Sequence, residues 1–165
     1  AWERYAPDFG DVEHPHAGYR HSYPLGIMVN ADGRRFVDEG ADFRNYTYAK
    51  YGRVVLQQPG SFAWQIFDAQ VKPLLRDEYK LRGATKVIAN TLEDLADKLQ
   101  DVHAANLLAT IREYNAAVRQ DVPFDPNRKD GRGTSGLAIP KSNWATTLDT
   151  PRPARNSITL SELSR

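Results

Sequence analysis

Arg44 sits where a cation is awkward. In the run 26–45, GIMVNADGRRFVDEGADFRN, it falls at the opening of an expected helix. The first turn of a helix already carries about half a positive charge, so an arginine there is unfavourable unless an anion comes to share the unpaired N–H groups. The chemistry this predicts is anion capture. A guanidinium stays charged at neutral pH and presents a planar donor fork, which suits orienting a carboxylate and stabilising negative charge. The alternative is a helix-surface arginine paired with Asp42 or Glu39. Two other groups carry donors that could hold a carboxylate: His21, Ser22 and Tyr23 ahead of the run, and Lys141, Ser142 and Asn143 beside Trp144. Each has an ordinary counterpart, namely turn structure and packing for the first and a solvated loop for the second.

The elements that must position these residues follow from pattern. Residues 26–30 are rich in strand formers, Ala31, Asp32 and Gly33 supply turn chemistry, and 35–38 return as a second short strand, which together make a hairpin. Phe43, Tyr46, Tyr51, Val54 and Val55 then approximate helical spacing until Pro59 and Gly60, with Asp42 as the expected N-cap. A strand is expected at 62–67, a helix at 73–79 and a short strand at 85–89. Thr91 caps a helix with Asp94 three residues on, burying Leu92, Leu95, Ala96 and Leu99. A longer helix carries the stripe Ala104, Leu107, Leu108, Ile111, Tyr114 and Val118 and is bounded by Pro123. Residues 1–23 show no sustained period and read as ordered loop needing a partner surface, and the stretch after Asp121 is too densely punctuated by Pro and Gly for long elements. The last stretch, PRPARNSITLSELSR, reads as a flexible tail.

Several motifs carry little. GRGTSG at 131–136 fits G-x-G-x-x-G, but it follows a proline-rich loop and meets Pro140 instead of opening a helix, so it lacks the context that grips a pyrophosphate. His14, His16 and His21, with Glu13 nearby, could supply metal ligands, but their spacing alone does not fix convergence; no metal site is expected, and a metal-binding reading that would hold a stoichiometric metal on these histidines stands as an alternative. Asn45-Tyr46-Thr47 fits a glycosylation sequon inside the expected helix, and Arg128, Lys129 and Arg132 form a small solvated positive loop.

Composition sets the bounds. With 165 residues, 41% apolar side chains and 26% charged, the chain can bury a single core. The balance of 22 basic against 21 acidic residues argues against a nucleic-acid partner, which needs clustered positive charge. No cysteine is present, which removes thiol nucleophiles and thiolate metal sites. No apolar run approaches the roughly 20 residues of a membrane span, and the N-terminus lacks the layout of a signal peptide, so a soluble, cytoplasmic bacterial protein is expected.

The hairpin ending in VN-x-x-G-x-RFV-D/N-E, followed after a few residues by an arginine, resembles the substrate domain of fumarate reductase and succinate dehydrogenase flavoproteins. The longer match GIMVNADGRRFVDEGADFRNYTYAKYG, with FAWQIFDAQV at 62–71 and PKSNWA at 140–145, is similar to the FAD-dependent tricarballylate dehydrogenase branch. The resemblance runs from about Trp2 to Thr150. It implies an α+β capping domain over 1–150, built of short strands, a hairpin and several packed helices, with 151–165 as the tail. It implies a di- or tricarboxylate substrate whose carbon–carbon bond is oxidised or reduced, with Arg44 exchanging a proton at the carbon adjacent to the hydride position. It also implies substrate contacts from His21, Ser22, Tyr23, Lys141 and Asn143. FAD would be bound mainly by a domain outside this chain, the FAD-binding domain of the same full-length protein, and the isolated chain would be inactive. Proton loss from an arginine whose free pKa exceeds about 12 requires a strongly perturbed site. A second class stays open, a free-standing carboxylate-binding or protein-interaction module without redox activity.

Overall fold

The computed structural model describes residues 20–80, 86–99 and 101–148, and the backbone of 158–163. Its four strands, β1 (Ile27–Val29), β2 (Ala63–Phe67), β3 (Lys86–Ala89) and β4 (Ile158–Leu163), form one sheet in the order β1-β2-β4-β3 with every neighbouring pair antiparallel. Three helices, α1 (Arg44–Leu56), α2 (Leu92–Lys98) and α3 (Ala104–Ala117), make the class α+β.

Strand alternation divides the core. Ile27, Val29, Trp64 and Ile66 point to one face and pack with Leu92 and Leu95 of α2 and Leu107, Ile111 and Tyr114 of α3. Met28 and Ala63 point to the other face, against Tyr23, Val37 and the α1 residues Tyr51 and Val55. Both faces of β2 are therefore covered, which is why all five of its residues are buried. Phe67, at the end of β2, belongs to a third cluster with Val71, Leu75 and Tyr79.

Thr91 caps α2 as expected, its Oγ1 accepting from the Asp94 N–H at 3.0 Å. In α3 the cap is His103, whose Nδ1 accepts from the Asn106 N–H at 3.2 Å. The expected stripe of α3 is buried at Leu107, Ile111 and Tyr114.

Four expectations need correction. The returning strand of the hairpin shrinks to a single bridge between Val29 and Arg35, because Arg35, Asp38 and Glu39 turn their side chains onto other segments instead of continuing a ladder. Asp42 does not cap α1; its Oδ1 accepts from the adjacent Phe43 N–H at 2.8 Å, Phe43 is the N-cap, and no side chain caps the helix. The helix expected at 73–79 is two 3₁₀ turns, Lys72–Leu74 and Asp77–Tyr79, with Leu75 and Arg76 extended between them. There the Ser22 Oγ accepts the Arg76 N–H at 3.1 Å, a donor that a continuous helix would have used internally. Finally, part of the expected tail is β4, seated between β2 and β3. ITLSEL combines β-branched residues with partial alternation, and it supplies the ladder partners that β2 and β3 otherwise lack on their facing edges. The expected loop at 1–19, with Glu13, His14 and His16, lies outside the described residues, as do 151–157 and Thr85.

Candidate functional site

Arg44 is the first residue of α1, as its placement in the sequence predicts. The first turn of α1 holds neither an acidic residue nor a capping side chain, so the positive end of the helix and the guanidinium reinforce each other. Neither expected partner neutralises Arg44. Glu39 is fully buried and bound to Arg35, with Nη2 to Oε2 at 2.5 Å, and Asp42 faces Lys129 at 3.4 Å. Among the described residues Arg44 forms no ion pair; its Nη1 lies 3.2 Å from His21 Nδ1. A guanidinium has only donors, so Nδ1 is the acceptor and the His21 ring carries its proton on Nε2. Burial, and then the Arg44 charge, lower the His21 pKa to about 4, so the imidazole is neutral at physiological pH.

These two side chains open onto a cavity of about 340 Å³. Its floor is Ser22, Pro24 and Leu25, one wall is Phe43 and Arg44, a second is Leu74 and Arg76, and a third is Pro126, Asn127 and Trp144. Among the described residues two guanidiniums and no carboxylate line it, while Phe43, Leu74 and Leu25 supply apolar surface. A space of this size and charge is chemically fitted to a small anion with a short carbon chain.

The third wall is built with some strain. Trp144 has φ +56, a conformation uncommon for a large side chain. It is held there because its N–H donates to Asp130 Oδ1 at 2.9 Å, its Nε1 donates to the carbonyls of Asp125 and Arg128, and its ring lies against Phe43 at 5.3 Å. Gly40 passes so close to this segment that a Cβ would meet the Asn143 carbonyl at 2.2 Å, which fixes glycine at that position.

The residues singled out from the sequence thus divide. His21, Ser22 and Arg44 line the cavity. Tyr23, Lys141 and Asn143 lie behind it with their polar atoms engaged by the scaffold. Tyr23 donates to the Arg44 carbonyl at 3.3 Å and shares a 2.6 Å hydrogen bond with Thr47 Oγ1, pinning the start of α1; burial pushes its pKa up to about 12. Lys141, 1% exposed, donates from Nζ to the carbonyls of Pro24 at 2.7 Å and Gly26 at 2.6 Å, so it holds the cavity floor from beneath. Burial brings its pKa down to about 8. Asn143 donates to the Gly40 carbonyl and accepts from the Gly131 N–H, both at 2.8 Å. Sequence reasoning missed Leu74, Arg76 and Asn127. The signal for Arg76 was the acidic pair Asp77-Glu78 directly after it, which marks the start of a new turn rather than the middle of an old one.

No dinucleotide cradle exists among the described residues. The loop at 131–136 has positive φ at Gly131 and Gly136, and neither approaches other atoms closely. No helix follows it, and the sheet has no parallel pair to form a βαβ unit. The described residues therefore offer no such cradle for the pyrophosphate of an FAD molecule. No group of three or more His, Cys, Asp or Glu among the described residues could hold a metal, and no helix among them is long and apolar enough to cross a membrane.

The fold is similar to parts of two solved structures, a fumarate reductase and a ketosteroid dehydrogenase. The open conformation of a flavocytochrome c3 fumarate reductase superposes over 87% of the chain with a TM-score of 0.54 and 24% identity, using 22% of its own length. The 3-ketosteroid delta1-dehydrogenase of Sterolibacterium denitrificans superposes over 99% of the chain with a TM-score of 0.58 and 20% identity, using 31% of its length. At these identities the likeness is one of fold.

Sequence relatives point to the same pair. The probable fumarate reductase Ifc3 of Shewanella frigidimarina is 36% identical over 96 residues, covering 56% of this chain and 15% of that protein. The 3-oxosteroid 1-dehydrogenase of Mycobacterium tuberculosis is 31% identical over 123 residues, covering 64% of this chain and 21% of that protein. The chain thus spans about a fifth or less of the length of these curated relatives. No family model matches it.

Proposed function

We propose that this chain is the substrate-binding, capping part of an FAD-dependent oxidoreductase acting on a carbon–carbon bond of a di- or tricarboxylate, of the tricarballylate dehydrogenase or fumarate reductase kind. The observation that carries the reading is the cavity itself: Arg44, at an uncapped helix start, and Arg76 face it with no carboxylate among the described lining residues. The share of each relative that the chain covers supports a role as one part of a larger protein. FAD, held by the FAD-binding domain of the full-length protein, supplies the electron-pair chemistry.

The geometry supports the following roles for this chain's own residues. Arg44 binds a substrate carboxylate and stabilises negative charge at the carbon where a proton is exchanged. His21 accepts from Arg44 and fixes the plane of its guanidinium. Ser22 joins the floor to the extended segment that carries Arg76. The apolar side chains of Phe43, Leu74 and Trp144 shield these contacts from water and so strengthen them.

A second reading has a specific support: the apolar lining and the 31% identity to a steroid dehydrogenase favour a 3-ketosteroid in the same cavity. The test is anaerobic titration of the full-length, FAD-loaded protein. Under the favoured reading tricarballylate or succinate bleaches the flavin, or fumarate reoxidises the reduced flavin, and a 3-ketosteroid does neither. Response to the steroid alone would replace the favoured reading with the second.

A further inference from the structure

We propose that Arg76 is a second carboxylate-binding arm, which takes a carboxylate remote from the reacting carbons while Arg44 holds the reacting end. The inference rests on the polycarboxylate reading of the cavity and adds a residue that sets specificity within it.

The backbone places Arg76 deliberately. Leu75 and Arg76 are extended between two 3₁₀ turns, and the Arg76 N–H is tied to Ser22 Oγ at 3.1 Å, which brings the side chain to the cavity wall facing Arg44. The side chain is anchored at one edge only. Its Nε donates to Glu78 Oε1 at 2.8 Å, and Glu78 is itself well covered, with 11% of its side chain exposed against 50% for Arg76. The two terminal nitrogens donate to no acceptor among the described residues, so the end of the fork that recognises a carboxylate in bidentate fashion is available.

Electrostatics agree with this placement. Both Arg44 and Arg76 disfavour protonation of His21, after the larger effect of burial, so the neutral imidazole stands within reach of both cations. Leu25 and Leu74 lie along the same cavity and offer apolar surface to the methylene carbons of a short polyacid. A bystander pair on the surface would need no cavity, no backbone tie to the floor and no free fork.

The experiment is titration calorimetry of the oxidised, full-length, FAD-loaded protein with tricarballylate and with its terminal monoamide, for wild type, Arg76→Gln, Arg76→Lys and Glu78→Gln. Losing Arg76 should weaken tricarballylate binding about 10- to 100-fold, the worth of one charge-assisted bidentate contact. The monoamide, which can leave its uncharged end at Arg76, should lose less than about 3-fold, and lysine should recover part of the loss. Equal weakening for both ligands would make Arg76 a structural residue and overturn the proposal, as would unchanged binding of tricarballylate in Arg76→Gln. Failure of the wild type to bind tricarballylate would also overturn it. Binding with the predicted discrimination but no flavin reduction would sink the redox reading and leave the anion-binding role of Arg76 standing.

Discussion

Arg35 and Arg44 lie nine residues apart on one hairpin–helix unit, and the structure uses them in opposite ways. Every edge of the Arg35 fork is engaged. Nε and Nη2 meet the Glu39 carboxylate at 3.1 and 2.5 Å, Nη1 donates to the Ile139 carbonyl at 2.8 Å, and the guanidinium lies 5.2 Å from the Tyr114 ring centre. Glu39 in turn accepts the Met28 N–H at 2.7 Å, so this pair ties β1 to the segment that leads into Trp144. Among the described residues Arg44 instead meets a neutral imidazole and no carboxylate, and it opens onto a cavity. The difference is one of donor accounting: a cation whose donors all have internal acceptors is scaffold, and one whose donors remain is equipped to bind. Lys141 falls on the scaffold side by the same test, since its ammonium is buried against two backbone carbonyls.

The largest effect on the scaffold side should come from Arg35→Leu in the full-length protein. It leaves the fully buried Glu39 carboxylate without its counter-ion, at a cost of about 3–5 kcal/mol in denaturant unfolding. Adding Glu39→Leu should recover much of that loss, because the pair matters chiefly through what its breakage strands. If Arg35→Leu abolished tricarballylate binding with stability intact, the two arginines would no longer differ in kind.

A smaller loss, about 1–3 kcal/mol, is expected for Lys141→Met, which strips the Pro24 and Gly26 carbonyls of a buried donor. Ligand binding should weaken only in proportion to the loosened floor. A large loss of binding at full stability would return Lys141 to the site.

The smallest effect concerns His21. Its pKa is lowered from 6.5 to about 4, mainly by burial, so the unfolded chain takes up a proton that the folded chain refuses. The stability linked to His21 is therefore complete above 6.5 and is lost as the pH falls through about 4. The unfolding free-energy gap between wild type and His21→Asn should narrow over that window. A gap independent of pH would mean that the imidazole titrates as it does in water.

Local rules made much of this legible in the sequence. Thr91 with Asp94, the stripe of α3 and the placement of Arg44 at a helix start all depend on residues within a turn or two of each other. What stayed hidden depended on distant partners. Lys141 reads as a substrate contact or a solvated loop cation because nothing nearby announces that carbonyls more than a hundred residues earlier will receive it. Arg76 was obscured because the hydroxyl that interrupts its helix belongs to Ser22, 54 residues away. The strand at 158–163 reads as tail because its short, partly polar pattern gains meaning only between two waiting strand edges.

Under the proposed polycarboxylate reading, the distinction between the two arginines is tested most directly by turnover of the full-length protein carrying Arg44→Gln, measured with tricarballylate at matched FAD occupancy. The account predicts a fall in kcat of about 100- to 1000-fold or more with FAD content and unfolding midpoint unchanged, as for removal of a charge-stabilising donor. Turnover within a few-fold of wild type would contradict it and leave Arg44 an ordinary helix-start residue.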